Sequence, residues 1–193
     1  MNKGFTLIET LVAISLLAVA IVAPMSLVAQ SLSSAYYARD QVTAFNLAQE
    51  GIEAVRAVRD GNILANALNN AGVGLLAGIP IGQDFTIDAR ETLASDAIQT
   101  CATNPCPPLQ TDGTLYGYAD GDRSNQSRDP NWTNTNFTRT LTATYAGPAG
   151  VNGGHDEIRV AVTVTWITRG SQRRSFTIYE NMYRWVNDGA AAD

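Results

Sequence analysis

Between Glu9 and Arg39 the chain carries no charged side chain, and the stretch from Leu11 to Ala29 is dominated by Leu, Val, Ile and Ala. Coiled as an α-helix at about 1.5 Å per residue, this run exceeds the roughly 30 Å hydrocarbon thickness of a bilayer. The run can therefore span a bilayer, and the chain is expected to cross a membrane over about residues 7–30. Lys3 is the only cation ahead of the run, and basic residues stay on the cytoplasmic side, which directs the rest of the chain outward. Glu9 stands where the apolar run begins, and a carboxylate there is too costly to be incidental.

A secretory signal peptide competes with this reading, because Ala18-Val19-Ala20 offers small residues at a spacing that signal peptidase accepts. Three features oppose it. The segment before the run has one basic residue, the apolar sequence continues well past Ala20, and Glu9 lies at the start of the apolar region.

Lys3-Gly4-Phe5-Thr6-Leu7-Ile8-Glu9 followed by this run resembles the cleavage and N-methylation signal of type IV prepilins and type II secretion pseudopilins. The resemblance implies a four-residue leader, cleavage after Gly4 by a prepilin peptidase and methylation of the new N-terminus at Phe5. It also implies a role for Glu9 in assembly, pairing with the N-terminal amine of a neighbouring subunit. The implied partners are the peptidase, other pilin or pseudopilin subunits, the inner-membrane assembly machinery and the membrane itself. Many pilins carry a proline where this chain has Pro24, which removes a backbone donor and is expected to kink or loosen the helix.

Beyond the membrane, Val42, Phe45, Ala48, Ile52 and Val55 recur at spacings of three and four, one apolar helical face. Glu53 is within reach of Arg56, and Arg56 of Asp60, on the helix surface. Gly61 is positioned as a C-terminal cap. The expected element is a single helix over residues 5–60, half anchor and half scaffold, followed by a globular domain over 61–193. Leu47-Ala48-Gln49-Glu50-Gly51-Ile52-Glu53-Ala54-Val55-Arg56 resembles the corresponding helix in minor pilins and minor pseudopilins of the PilV and GspI kind, which favours a minor subunit.

Residues 63–81 are apolar and glycine-punctuated, compatible with a short second helix and a loop. Phe85, Ile87 and Ala89 alternate with polar neighbours as a half-buried strand does, and 115–119 suits a further strand. Three alternating segments follow: Leu141, Ala143 and Tyr145; Ile158, Val160, Val162, Val164 and Trp166; and Phe176 with Ile178. Residues 168–172 suit a turn between the last two. Antiparallel strands with one buried face match this alternation, and the helix is the obvious cover. The fold class is therefore α+β, a long N-terminal helix packed on a C-terminal antiparallel β-sheet, as in pilins. Trp166, Tyr183 and Trp185 are expected as core or rim aromatics.

Cys101 and Cys106 are the only cysteines and His155 the only histidine. Two thiols alone cannot build a structural zinc site, so a short-loop disulfide is expected if the domain lies outside the cytoplasm. Asp120, Asp122, Asn125 and Asp129 offer oxygen ligands to calcium, and some major pseudopilins bind calcium in a C-terminal loop. This loop lacks the EF-hand glycine and terminal glutamate, so a solvated acidic loop without a cofactor is the expectation. Asn125, Asn131 and Asn136 head glycosylation sequons that composition alone explains.

His155 has no second histidine with which to hold a metal, and no nucleophile or phosphate-loop motif occurs. The chain is not expected to be an enzyme. The formal charge of −5 argues against nucleic acid as a partner. The alternative from another class is a single-pass anchored or secreted binding domain, such as an adhesin, with no pilus role.

Overall fold

The structure is a computed structural model that describes residues 4, 6–69, 74, 76–91, 97–102, 105–118, 131–147, 157–168 and 172–183. It divides into two compact units, Met1–Gln41 and Val42–Asp193. One helix, α1 (Leu7–Asn69), contributes to both. In the first unit the helix stands alone, its Leu, Ile and Val side chains exposed from Leu7 to Val28. Pro24 lies inside it without ending it.

In the second unit the strands are β1 (Asp84–Ile87), β2 (Ile98–Thr100), β3 (Gln110–Thr111), β4 (Tyr116–Gly117), β5 (Thr133–Asn134), β6 (Phe137–Tyr145), β7 (Glu157–Ile167) and β8 (Arg173–Tyr183). Five form an antiparallel sheet in the order β2-β1-β6-β7-β8, and β4-β3-β5 form a small second sheet. The period-2 pattern is the cause. Ile158, Val160, Val162, Val164 and Trp166 are all buried along one face of β7, opposite Phe137, Leu141 and Ala143 of β6. Each fully buried aliphatic side chain stabilises the fold by about 1.5–3 kcal/mol. The α+β layout expected from the sequence is the one observed.

The helix covers that face through Ala44, Leu47, Ala48, Gly51, Ile52, Val55 and Val58. This stripe matches the one expected only in part. Val42 is 60% exposed and Phe45 41%, the latter meeting Phe176 edge-on at 5.5 Å between ring centroids. Ala48, Ile52 and Val55 are buried as expected, and small residues explain the rest: Ala44 and Gly51, beside Ala48, let the helix axis approach the sheet, and an apolar count does not register them.

The helix also runs past the stop expected at Asp60 and Gly61, and residues 63–69 continue it rather than starting a second helix. Asn62 Nδ2 donates to Ala77 O at 3.0 Å, and Ile63 packs against the core. These tertiary contacts outweigh the roughly 1 kcal/mol cost of a mid-helix glycine. A Cβ at Gly61 meets nothing within 4 Å. Gly61→Ala should therefore stabilise the domain by about 0.5–1 kcal/mol. A fall in the denaturation midpoint would instead indicate a left-handed cap at that residue.

β1 differs from the half-buried strand expected. Thr86 and Asp88, at 1% exposure, are as buried as Phe85 and Ile87, while Ala89 lies exposed in a turn. Strand β1 is interior to the sheet, between β2 and β6, and just beyond it the Tyr118 amide donates to the Asp88 carboxylate at 2.9 Å. The segment expected as a strand at 115–119 is the two-residue β4.

Candidate functional site

The first turn of α1 is where the sequence concentrates specific chemistry. Thr6 precedes the helix as its N-cap: its carbonyl accepts from the amides of Glu9 (3.1 Å) and Thr10 (3.2 Å), and its hydroxyl accepts from the Glu9 amide at 3.4 Å. Thr6-x-x-Glu9 is the sequence of a capping box, in which a threonine and a glutamate three residues later serve the orphan amides of a helix start. The negative carboxylate also sits favourably at the positive end of the helix macrodipole. The Thr-x-x-Glu spacing is present in the sequence, where Glu9 doubles as the one charge heading the apolar run.

Gly4 is exposed, and a Cβ there touches nothing within 4 Å. Leu7 and Ile8 are 82% and 71% exposed. The chain thus presents an accessible Gly4, a carboxylate at Glu9 and, among the described residues, one helix long and apolar enough to cross a membrane by length and composition. Phe5 lies outside the described residues.

The segment 47–56 organises the second unit, through a residue that the sequence reading passed over. Arg139 occupies the inner row of β6 between Phe137 and Leu141 and is 0% exposed. Its Nη1 donates to Leu47 O (3.0 Å) and Glu50 Oε2 (2.8 Å), and its Nη2 to Ile87 O (2.6 Å). Its Nε has no partner. Gly51 lies directly above: a Cβ there would stand 3.1 Å from Val162 Cγ1 and 3.2 Å from Arg139 Cδ, tighter than most packing allows. Glycine at 51 therefore permits the close approach that brings Glu50 onto Arg139.

A second tie lies one turn further on. Arg56 pairs with Glu53, as its spacing suggested, and reaches across to Glu180 of β8 at 2.6 Å. The expected Arg56–Asp60 pair is absent because Asp60 takes Arg59 instead, at 2.8 Å. The only sequence signal for Arg139 was a charge at an inward position of an alternating strand.

On the far side of β1, Asp88 accepts from Arg90 Nε (3.0 Å), Arg90 Nη2 (2.7 Å) and the Tyr118 amide (2.9 Å). Arg90 in turn stacks over Trp132 at 4.2 Å. Burial pushes the Asp88 carboxyl up, but the hydrogen bonds from Arg90 and Tyr118 outweigh it and hold the group below its ordinary 3.8. A carboxyl depressed in the folded state contributes stability above its unfolded value and loses it as pH falls through the folded value. Unfolding midpoints should therefore drop on acidification below about pH 4, and Asp88→Asn should flatten that limb. An unchanged acid limb in the variant would remove Asp88 from the explanation.

Cys101 and Cys106 are joined, with their Cα atoms 5.2 Å apart, and the Cys101 amide donates to Asp84 O at 2.9 Å, tying the loop to β1. Trp166 is buried and Tyr183 exposed. Asp120, Asp122, Asn125 and Asp129, offered for calcium, lie outside the described residues, as do His155 and Trp185. Among the described residues no group of three or more His, Cys, Asp or Glu could hold a metal ion.

Comparison with known families gives one match: the prokaryotic N-terminal methylation motif, over residues 1–23. No curated protein and no solved structure matches the chain. The matched segment contains Gly4, Phe5 and Glu9 together with the first turns of α1. It supports a type IV pilin-like precursor. Motif and apolar helix together are consistent with membrane anchoring.

Proposed function

We propose that this protein is the precursor of a filament subunit, of the minor kind, in a type IV pilus or type II secretion pseudopilus. The observation that carries the reading is a methylation motif continuous with a membrane-length helix whose first turn holds Glu9. A prepilin peptidase cleaves between Gly4 and Phe5 and methylates Phe5. Before assembly the subunit is held in the inner membrane by a single pass, with the domain on the outer side, where an oxidising compartment suits Cys101 and Cys106. The protein is a substrate of processing, with no catalysis of its own and no cofactor.

Cleavage creates a cationic amine at Phe5, close in sequence to Glu9. In a bundle of apolar helices an unpaired carboxylate and an unpaired amine are each costly. Pairing Glu9 of one subunit with the Phe5 amine of the next removes both costs and sets the axial register, while apolar contact between helices supplies the cohesion. The minor character rests on the likeness of residues 47–56 to minor subunits. In this chain that segment holds helix to sheet through Glu50, Gly51 and Arg56.

The test is N-terminal sequencing and intact mass of protein recovered from membranes of a host that has a prepilin peptidase. An N-terminus at methylated Phe5 is expected. An intact Met1, or a start after Ala20, would overturn the subunit reading in favour of an anchored or secreted binding domain.

A further inference from the structure

Strand β8 pairs with β7 along its whole length, from Glu157 opposite Tyr183 to Ile167 opposite Arg173, without a break in register. It is the last strand of its sheet, so among the described residues no strand pairs with its other edge. Natural edges of this length are blunted by proline, lysine, a bulge or an inward-pointing charge. Arg173–Tyr183 contains no proline, lysine or glycine. The unbroken register excludes a bulge. Two charges lie on its inward row, Arg174 opposite Trp166 and Glu180 opposite Val160. Glu180 is held by Arg56 at 2.6 Å and Arg174 Nη2 donates to Gln172 Oε1 at 2.8 Å, so a segment added here must suit a cation at the Arg174 end.

From these observations we infer that the open edge of β8 is a docking site for an extended segment of another protein, added to the sheet as a sixth strand. A row of backbone donors and acceptors at strand spacing is complemented by one ligand chemistry, an extended polypeptide. The antiparallel direction gives the better hydrogen-bond geometry. Side chains on the helix-facing side of such a segment meet Phe176 and Ile178, both half-buried, and are apolar. Its C-terminal end lies against Arg173 and Arg174, both exposed, and is acidic.

A second copy of this chain does not fit the same edge. Two β8 strands joined antiparallel turn one domain end for end relative to the other. That sets the Arg173–Arg174 end of each β8 against the other's Asn181, Met182 and Tyr183, which offer the arginines no carboxylate. Parallel joining brings the two arginine pairs together, which is repulsive. This inference does not depend on cleavage after Gly4.

The experiment uses the full chain in detergent and, as probe, a short synthetic peptide alternating threonine and valine and ending in two aspartates. Amide hydrogen exchange is followed across the sheet. The peptide is expected to slow exchange of β8 amides by about tenfold or more at saturation while leaving β2, the other edge, unchanged. The double charge reversal Arg173→Glu with Arg174→Glu should weaken binding about tenfold, and a peptide ending in two lysines should restore it. That rescue separates recognition from damage to the fold. Unchanged β8 exchange at millimolar peptide overturns the inference. Protection of β8 that grows with protein concentration in the absence of peptide also overturns it, since it makes the occupant a second copy.

Discussion

Glu50→Ala should lower the unfolding free energy of the domain by about 3 kcal/mol, far more than a helix-surface glutamate usually contributes. Arg139 is fully buried, and among the described residues Glu50 is the carboxylate its guanidinium reaches. Removing Glu50 leaves a buried cation facing backbone carbonyls at Leu47 and Ile87 and a free Nε. Because the Glu50 side chain is 36% exposed, water partly replaces it, which places the cost at the lower end for a broken buried pair. Adding Arg139→Met to Glu50→Ala should recover much of the loss, since an apolar side chain of similar reach needs no counter-charge. The measurement is denaturant unfolding of the full chain followed by near-ultraviolet circular dichroism, as a double-mutant cycle. A Glu50→Ala cost below about 0.5 kcal/mol, the level of an exposed pair, would show that Arg139 does not depend on it.

Glu9→Ala should leave cleavage and methylation intact while reducing incorporation into filaments by at least about tenfold, the equivalent of 1.4 kcal/mol. The capping geometry at Thr6 sharpens this test. Glutamine serves a capping box as glutamate does but carries no charge. If Glu9 acts by pairing with an amine on the neighbouring subunit, Glu9→Gln should fail as Glu9→Ala does. If Glu9 acts only as a cap, Glu9→Gln should assemble normally and Thr6→Ala should fail. The readout is the processed protein in the sheared filament fraction relative to membranes. Normal incorporation of Glu9→Gln would remove the ion pair from the assembly account.

The anchor and the methylation motif were legible because they are contiguous: a membrane-length run and a short signal need no tertiary partner to be recognised. The inward rows of β6 and β7 were legible for a similar reason, since period-2 alternation is a property of the strand itself. The helix stripe was read correctly at Ala48, Ile52 and Val55 but missed Ala44 and Gly51, which are buried for their smallness, and took in Val42 and Phe45, which are exposed. The helix end was read too early because Gly61 looks like a cap until Asn62 is seen to reach Ala77.

The sequence alone therefore determined a helix of membrane length, the methylation motif at its start and a sheet with one apolar face, all readable from contiguous residues or local periodicity. Only the tertiary structure decided what the charges inside the domain do. Arg139 is one arginine among twelve in the chain until the fold sets it beneath Glu50 and Gly51, with Glu50 89 residues away in sequence. Likewise Asp88 becomes buried only when Tyr118 and Arg90 close over it. Burying a charge is tolerable only with its partner in place, and partners distant in sequence are brought together by the fold.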